Sequence, residues 1–283
     1  MQLQTKKFPI LKKENLAPKI TLFEIKAPLV ARKCKPGQFI IVRLDERGER
    51  IPLTIAEYNR AEGTITIVVQ DVGKTTHQLS LKNEGDIIED ILGPLGVPAP
   101  IEKVGTVLCV GGGVGVALLY PEAKAYKEAK NRIISLIGAQ SKKLLFFQDK
   151  MEAVSDKILY STDDGSFGHH GFVTDLVRKI LESGEKVDLV IAIGPLAMMK
   201  AVAEITRPYK IKTIVSLNPI MVDGTGMCGG CRVRVGGEIK FACVEGPEFD
   251  AHLVDFDELM KRQKRFEEEE RIALKAEQNL DTR

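Results

Sequence analysis

The stretch LCVGGGVGVALL, residues 108–119, decides the fold, because it passes from a buried-type strand through glycines into a helix. At such a junction the backbone amides and the N-terminus of the helix can receive a pyrophosphate group. The glycines at 111, 112, 113 and 115 do not have the G-x-G-x-x-G spacing of the dinucleotide fingerprint. A turn that is needed only to pack the helix on the strand therefore stays open as the alternative.

A second glycine turn ends the strand KVDLVIAIGP, residues 186–195, and leads into the helical run LAMMKAV. Between the two turns lie another strand, RIISLIGAQ (132–140), and another helix, GFVTDLVRKILESG (171–184). Alternating strands and helices predict a parallel α/β sheet, which we assign to residues 101–218. Because the carboxyl ends of parallel strands share one edge, the two glycine turns predict a nucleotide crevice.

Residues 1–100 contain short runs rich in Ile, Val and Thr, separated by turn signals such as Pro36-Gly37 and Glu62-Gly63. Five or six strands of this length and spacing predict a small antiparallel barrel. The four clearest runs are KITLFEIKAP (19–28), GQFIIVRLDE (37–46), RIPLTIAEYN (50–59) and GTITIVVQDV (63–72).

Two further segments have helical character. In the run 116–131 we expect Pro121 to mark a break or a new first turn. The tail at 255–280, within a terminal segment 251–283, predicts one highly charged helix. Such charge runs are usually solvated faces, and a role in covering a partner subunit stays open.

Residues 219–250 are rich in glycine and contain three of the five cysteines. The plant-type [2Fe–2S] pattern is C-x4-C-x2-C with a distant fourth cysteine, and this segment has that spacing with an aspartate in the first position. We therefore predict a [2Fe–2S] cluster with four ligands: Asp223, Cys228, Cys231 and Cys243.

Two alternatives remain for the three clustered cysteines. A structural zinc site could combine them with His252, which lies nine residues beyond the last of them. They could also be reduced cysteines without a ligand role. The other two, Cys34 and Cys109, are isolated, and Cys109 lies in mid-strand, where we expect core packing.

The composition limits the class of protein. The 283 residues, 44% of them hydrophobic, suffice for about two domains with buried cores. A net charge of +2 with interspersed acids and bases gives no reason to expect nucleic acid or an anionic membrane as partner. No signal peptide and no run of ~20 apolar residues is evident. We expect a soluble, cytoplasmic protein with reduced thiols.

In the order barrel, glycine-rich α/β domain and cysteine segment, nearly the whole chain resembles the ferredoxin–NADP reductase superfamily. It is most similar to the iron–sulfur branch, which contains the electron-transfer subunit of dihydroorotate dehydrogenase. Closer still is the small subunit of NADH-dependent ferredoxin:NADP oxidoreductase, also called sulfide dehydrogenase. The resemblance implies FAD on the barrel, NAD(H) or NADP(H) on the α/β domain and the cluster on residues 219–250.

Two barrel motifs resemble the FAD motifs of this superfamily. IPLTI resembles Arg-Pro-(aliphatic)-Ser/Thr, which implies that Pro52, Leu53 and Thr54 lie along the isoalloxazine ring and the ribityl chain. Ile51 stands at the arginine position of the family, and Arg50 comes one residue early. DVGKTTHQL resembles a Gly-Lys-Gly-Thr turn, with a threonine in place of the second glycine, and implies four ligands of the FAD pyrophosphate: Gly73, Lys74, Thr75 and Thr76.

Three segments resemble the nicotinamide-nucleotide side of the family. VGGGVGVALLYPEAK, AIGPLAMMKAV and STDDGSFGHHGFVTDLV (161–177) imply nine residues at the dinucleotide: Gly112, Gly113, Val114, Gly115, Gly194, Pro195, Met198, Asp163 and Asp164. Paired carboxylates beside a ribose accept hydroxyl hydrogen bonds and repel a 2′-phosphate, which favours NAD(H). Lys142 and Lys143 favour NADP(H) instead.

The resemblance implies a subunit of an NAD(P)H-dependent flavin iron–sulfur oxidoreductase that passes electrons between NAD(H), FAD and a [2Fe–2S] cluster. It also implies a heterodimer with a larger flavin and iron–sulfur subunit that handles NADP(H) and ferredoxin, with electron bifurcation or sulfide/polysulfide activity left open. The alternatives are a dihydroorotate dehydrogenase electron-transfer subunit, which normally has four cysteines, and a non-catalytic, zinc-stabilised nucleotide-binding regulator. No side chain is assigned a catalytic role.

Overall fold

An antiparallel barrel forms the N-terminal part of the computed structural model, which describes residues 7–281. The first six residues of the predicted barrel segment and the last two of the predicted tail lie outside that range. The barrel strands follow the order β6-β1-β2-β5-β4-β3-β7. Their bounds are β1 Phe8–Ala17, β2 Ile20–Lys26, β3 Phe39–Arg43, β4 Arg50–Asn59, β5 Thr64–Gln70, β6 Ile87–Ile88 and β7 Asp90–Leu95.

The four strands predicted from the sequence are β2 to β5, and their side chains fill the barrel. Phe23, Ile25, Ile40, Ile65 and Ile67 are completely buried. The two edge strands β6 and β7 are separated by one residue, so the two edges of the sheet come back together. Two helices, α1 (Pro28–Lys33) and α2 (Lys74–Leu81), cover the barrel.

The second sheet has the order β11-β10-β9-β8-β12-β13-β16, and all its pairings are parallel except that of β13 with β16. The chain builds outward from β8 in one direction and then returns to add β12 on the other side. The strand order therefore reverses between β8 and β12. At such a switch point, α/β proteins bind ligands beside the carboxyl ends of the strands. The bounds are β8 Thr106–Gly112, α3 Gly115–Glu128, β9 Arg132–Ala139, α4 Gln148–Val154, β10 Lys157–Thr162, β11 His169–His170, α5 Val173–Glu182, β12 Leu189–Ile193, α6 Leu196–Thr206 and β13 Thr213–Ser216.

The predicted break at Pro121 is wrong, because α3 continues through it from Gly115 to Glu128. A proline inside a helix removes one hydrogen bond and crowds the preceding turn. Packing outweighs this cost here. Pro121 is buried, and residues of α3 share one core cluster with β8, β12 and the barrel strands β2, β4 and β5.

The cysteine segment joins both larger units. It contains a hairpin of β14 (Arg232–Val235) and β15 (Glu238–Phe241), then α7 (Ala242–Glu245) and β16 (Glu248–Asp250). Since β16 pairs with β13, this segment extends the α/β sheet. Its other side contacts the barrel, where the Val97 amide donates to the Gly246 carbonyl at 2.6 Å.

The single helix predicted at 255–280 is two helices, α8 (Phe256–Gln263) and α9 (Glu267–Asp281), joined by a 3-10 turn. Polar contacts hold the two helices on different parts of the molecule. The Gln263 amide donates to the Asn218 carbonyl at 2.7 Å and holds α8 on the α/β unit. The Gln78 amide of α2 donates to Glu277 at 2.8 Å, which holds α9 on the barrel.

Across residues 7–281, no helix is both long enough and apolar enough to cross a lipid bilayer. Cys109 is completely buried, as predicted for a core residue, and Cys34 is completely buried as well.

A substitution of Leu108 in β8 tests whether this strand lies in the core of the α/β unit. Leu108 is completely buried in the core, so Leu108→Ala should cost about 2–5 kcal/mol and lower the melting temperature. Leu11→Ala is the matched control, because Leu11 is 47% exposed. The measurement is thermal unfolding monitored by circular dichroism. Equal melting temperatures of the two variants would contradict the assigned core.

Candidate functional site: a dinucleotide crevice beside a cysteine loop

A cavity of about 670 Å³ opens at the switch point between β8 and β12. Both glycine turns predicted from the sequence line it. The predicted dinucleotide residues at its wall are Gly112, Gly113, Val114, Gly115, Asp163, Gly194, Pro195 and Met198. The structure thus brings together eight of the nine residues and leaves out Asp164.

Two glycines of the first turn have different roles. A Cβ on Gly115 would collide with the Ile193 carbonyl oxygen, so Gly115 allows α3 to approach the end of β12. The packing alternative therefore holds for this glycine. Gly113 has a φ of +55°, and a Cβ there would meet nothing within 4 Å. This position at the cavity wall leaves room for a ligand close to the backbone.

Sequence reasoning missed several residues of the cavity wall. Gly138 and Ala139 are the last residues of β9, and Gln140 comes directly after it. Ser216 is the last residue of β13, and Asn218 lies two residues further on. The rule that the carboxyl ends of parallel strands converge could have found them. Ile20 and Gln70 come from the barrel, and only the packing of the two units places them there.

The two adjacent aspartates differ in their environment. Asp163 lines the cavity, and partial desolvation together with Asp164 raises the pKa of its carboxyl group. Asp164 turns away, since its Oδ1 accepts from the Ser166 hydroxyl at 2.6 Å and from the Ser166 amide at 2.9 Å. These hydrogen bonds lower the pKa of Asp164. Asp163 is thus the carboxylate available to a ligand in the crevice.

The residues predicted to lie along the flavin form the middle of β4. Pro52, Leu53 and Thr54 are half-buried and pair with Ile41, Ile40 and Phe39 of β3, respectively. Arg50 is exposed at the first position of β4.

The predicted pyrophosphate turn lies at the N-terminus of α2. The Thr76 hydroxyl oxygen accepts from the amides of Val72 and Gly73 at 3.1 and 2.9 Å, which fixes the turn. The Thr75 hydroxyl donates to Glu49 at 3.0 Å. This bond ties the turn to the start of β4, so the structure brings the two predicted FAD segments together. Lys74 is the first residue of α2.

The Asp223 carboxylate organises the cysteine loop. Its Oδ1 accepts from the Thr225 amide at 3.0 Å, and its Oδ2 accepts from the amides of Met227 and Cys228 at 2.8 Å each. These hydrogen bonds lower the pKa of Asp223 to about 2. The carboxylate therefore stays ionised while it holds the loop, a role that the spacing argument did not reveal.

Cys228 and Cys231 lie in the loop before β14, and Cys243 on α7 contacts Cys231. The Sγ atoms of Cys231 and Cys243 are 3.2 Å apart and buried, and burial, with Cys231, raises the pKa of Cys243 to about 12. Cys228 is exposed, and its sulfur accepts from the Gly230 amide at 3.4 Å. Within the described residues, no three Cys, His, Asp or Glu side chains are already arranged around one ion.

Two features of the loop suit a centre with anionic thiolate ligands, and a third argues against the Cys3His zinc alternative. Backbone amides point at two of the sulfurs, as hydrogen bonds to cluster thiolates do. Arg232 and Arg262 donate to the carbonyls of Gly229 and Gly230, which places positive charge beside a group with anionic ligands. The histidine of the zinc alternative is engaged elsewhere, because the His252 ring nitrogen lies 2.9 Å from the Thr206 hydroxyl.

Comparisons with known proteins agree with this geometry. Residues 218–255 match the family model of the iron–sulfur cluster binding domain of dihydroorotate dehydrogenase B. A dihydroorotate dehydrogenase B (NAD(+)) electron transfer subunit homolog from Thermotoga maritima is 52% identical over 264 residues, 93% of each chain. The chain belongs to the dihydroorotate dehydrogenase B electron-transfer subunit family. The Geobacillus thermodenitrificans electron transfer subunit of this family is 32% identical over 86% of this chain and 95% of its own.

A solved structure is similar to this chain over nearly its whole length. A chain of the NADH-dependent reduced ferredoxin-NADP oxidoreductase, whose structure addresses flavin-based electron bifurcation, is 50% identical. It has a TM-score of 0.91 and covers 97% of this chain and 99% of its own. Phthalate dioxygenase reductase, at 18% identity and a TM-score of 0.58 over 81% of this chain and 86% of its own, shows the shared fold.

The comparisons bear out the resemblance to the ferredoxin–NADP reductase superfamily and the predicted fold class. They also bear out the class of protein, a subunit of an NAD(P)H-dependent flavin iron–sulfur oxidoreductase, and its cofactors FAD, [2Fe–2S] and NAD(H).

The contrast between Gly113 and Gly115 tests the crevice. Gly113→Ala should weaken NADH binding about tenfold, because the added Cβ occupies the open space in the crevice where the dinucleotide would approach the backbone. Gly115→Ala should destabilise the fold more than Gly113→Ala, because its Cβ meets backbone, whereas the Gly113 change adds only the strain of an alanine at a φ of +55°. Isothermal titration with NADH and thermal unfolding separate the two effects. Unchanged NADH affinity in Gly113→Ala would contradict a role of this turn in binding.

Proposed function

We propose that this chain passes electrons between NAD(H), FAD and a [2Fe–2S] cluster, and that a larger flavin and iron–sulfur subunit handles NADP(H) and ferredoxin. One contact carries the proposal. A Cβ on Gly224, in the cysteine loop, would lie 2.6 Å from Leu95 Cδ1 and 2.9 Å from Ile41 Cγ1 of the barrel wall. The loop therefore lies directly on the barrel.

This contact brings the proposed cluster ligands next to the proposed flavin strand. Ile41 is the register partner of Pro52, so β3 at the loop and β4 at the flavin motif are neighbours. Neighbouring strands are about 4.8 Å apart. The proposed ligand Asp223 directly precedes Gly224. The proposed flavin and cluster sites are thus adjacent, as electron exchange between them requires.

The residues have separate tasks in this scheme. When bound, FAD supplies the exchange between two-electron hydride transfer and single electrons, which the cluster accepts. The glycine turn at the start of α3 would hold the pyrophosphate of NADH through backbone amides, and Asp163 would accept from a ribose hydroxyl. Because Gln70 of the barrel shares the crevice, a nicotinamide bound there would lie near the barrel.

The proposed ligands divide into exposed and buried groups. Cys231 and Cys243 are buried, whereas Cys228 is exposed beside Met227, which is 87% exposed. Val222 and Val244, each nearly half exposed, add to this apolar surface. We propose that the larger subunit covers it, since that would exclude water from Cys228 and bring an electron acceptor close.

A second candidate is electron transfer to dihydroorotate dehydrogenase, which the names of several relatives favour. The substitution of a carboxylate at residue 223 for the expected fourth cysteine distinguishes this chain from that pattern. Anaerobic purification with the co-purifying subunit, followed by flavin, iron, sulfide and zinc analysis, tests the main proposal. NADH-dependent reduction of dihydroorotate dehydrogenase without a ferredoxin-linked activity would favour the second candidate, and zinc without labile sulfide would contradict both.

The ligand assignment predicts different results for two substitutions. Cys231→Ala should abolish the [2Fe–2S] absorption and EPR signals, because a buried thiolate ligand is lost. Asp223→Cys should keep a cluster with a shifted potential, because thiolate is softer than carboxylate. Cys34→Ala, in the barrel core, is the control with unchanged iron content. An unaltered EPR signal in Cys231→Ala would refute the assignment.

The FAD assignment of the α2 turn predicts the effect of Thr76→Ala. This change removes the acceptor for two backbone amides and should lower the FAD content of the purified protein several-fold. Ser80→Ala is the control on the same helix. Ser80 lies one turn beyond Thr76, and its hydroxyl donates to the His77 carbonyl rather than holding the turn. Full FAD occupancy in Thr76→Ala, measured by flavin absorption per protein, would count against this site.

A further inference from the structure

Two glutamates meet where the barrel, the α/β sheet and the cysteine segment join. Glu122 lies on α3 and is 1% exposed. Glu248 lies on β16, and its carboxyl group is close enough to that of Glu122 for the two to influence each other's protonation. The barrel supplies the third side, since a Cβ on Gly37 would lie 2.6 Å from Glu248 Oε1.

Among the described residues, the side chains that influence the pair are acidic or neutral. Burial raises the pKa of both carboxyl groups. The titratable side chains that face the pair are Cys109 of β8 and Tyr126 of α3, which are neutral at ordinary pH. No basic group within residues 7–281 contributes to the shift of either carboxyl. Glu122 Oε2 and Glu248 Oε1 are buried without hydrogen-bond partners.

Two ionised carboxylates are strongly disfavoured here, because Glu122 is buried, Glu248 is half-buried with a buried Oε1, and no basic side chain within residues 7–281 compensates the charges. One proton between them resolves the conflict, since the protonated group then donates to the ionised one. We propose that Glu122 and Glu248 share a single proton and act as a positioning pair that holds the α/β sheet and the cysteine segment against the barrel.

The elements that carry the pair also carry the proposed binding sites. Helix α3 begins at Gly115 in the dinucleotide crevice. Strand β16 pairs Glu248 with Ser216, which lines that crevice. The loop at Gly37 leads into Phe39, the register partner of Thr54 in the flavin motif. A displacement at the pair would therefore change the distances between the three proposed redox sites.

The shared proton itself can be observed by infrared spectroscopy on the full chain with its bound cofactors. Near pH 7 the wild-type protein should show a protonated carboxyl C=O band that shifts in D₂O, and Glu122→Gln and Glu248→Gln should each lose it. Glu128→Gln, an exposed position on the same helix, should keep it. Absence of the band in the wild-type protein, or its persistence in both pair variants, would overturn the proposal.

Stability against pH gives a second readout, which does not depend on the proposed function. The folded protein keeps a proton that a free glutamate releases above about pH 4.3. The free energy of unfolding that the pair contributes therefore falls as pH rises from about 4.3 towards the raised pKa of the pair. In Glu122→Gln the amide can donate to Glu248 at every pH. Its melting temperature should therefore fall less between pH 5 and 9 than that of the wild type, and an identical slope would overturn the shared proton.

The positioning role rests on the proposed function and has its own test. Reduction of the cluster by NADH, monitored by stopped-flow absorption, should be about tenfold slower in Glu122→Ala, because the half-buried Glu248 then lacks its donor and the units shift. Glu122→Gln should restore the rate and remove its dependence on pH. Equal rates in the alanine and glutamine variants would overturn positioning, whereas the infrared band would still decide the shared proton. No NADH oxidation in any variant would count against the function instead.

Discussion

The position of helix α3 between the α/β sheet and the barrel is the constraint on which the rest of the structure depends. Val116, Leu119 and Tyr120 of α3 are buried in one core cluster with Ile20 and Val68 of the barrel. The same helix begins at the glycine turn. Because one rigid element contacts both units, burial of its apolar surface also sets the distance between the dinucleotide crevice and the barrel.

A charged and aromatic contact reinforces this interface at its edge. Lys150 of α4 forms an ion pair with Glu57 of β4 and lies 4.7 Å from the centre of the Phe147 ring and 5.3 Å from that of Tyr120. The cysteine segment adds a third connection, since it extends the sheet through β16 while its loop lies on Ile41 and Leu95 of the barrel. Two proposed cofactor sites and the proposed cluster thus depend on one set of interfaces rather than on three independent domains.

Local patterns in the sequence were sufficient for much of this architecture. Strand β4 has the bounds of the predicted run RIPLTIAEYN, and the glycine turn at 111–115 lies at the end of β8 as expected. Pro121 was misjudged because its local cost is outweighed by contacts with residues distant in sequence. The tail was read as one helix because its charge pattern continues through the 3-10 turn, and the bonds of Gln263 and Glu277 that separate α8 from α9 reach other units.

The sequence by itself determined the types of element and the chemistry of the candidate ligands, because periodicity, turn residues and cysteine spacing are local properties. Only the tertiary structure decided which of these residues meet. It showed that the Asp223 carboxylate binds the amides of its own loop, that Asp163 rather than Asp164 lines the crevice, and that Glu122 faces Glu248 across 126 residues of chain. These contacts join residues far apart in sequence or depend on how a loop is folded, and burial between packed units, which no local pattern records, determines their electrostatics.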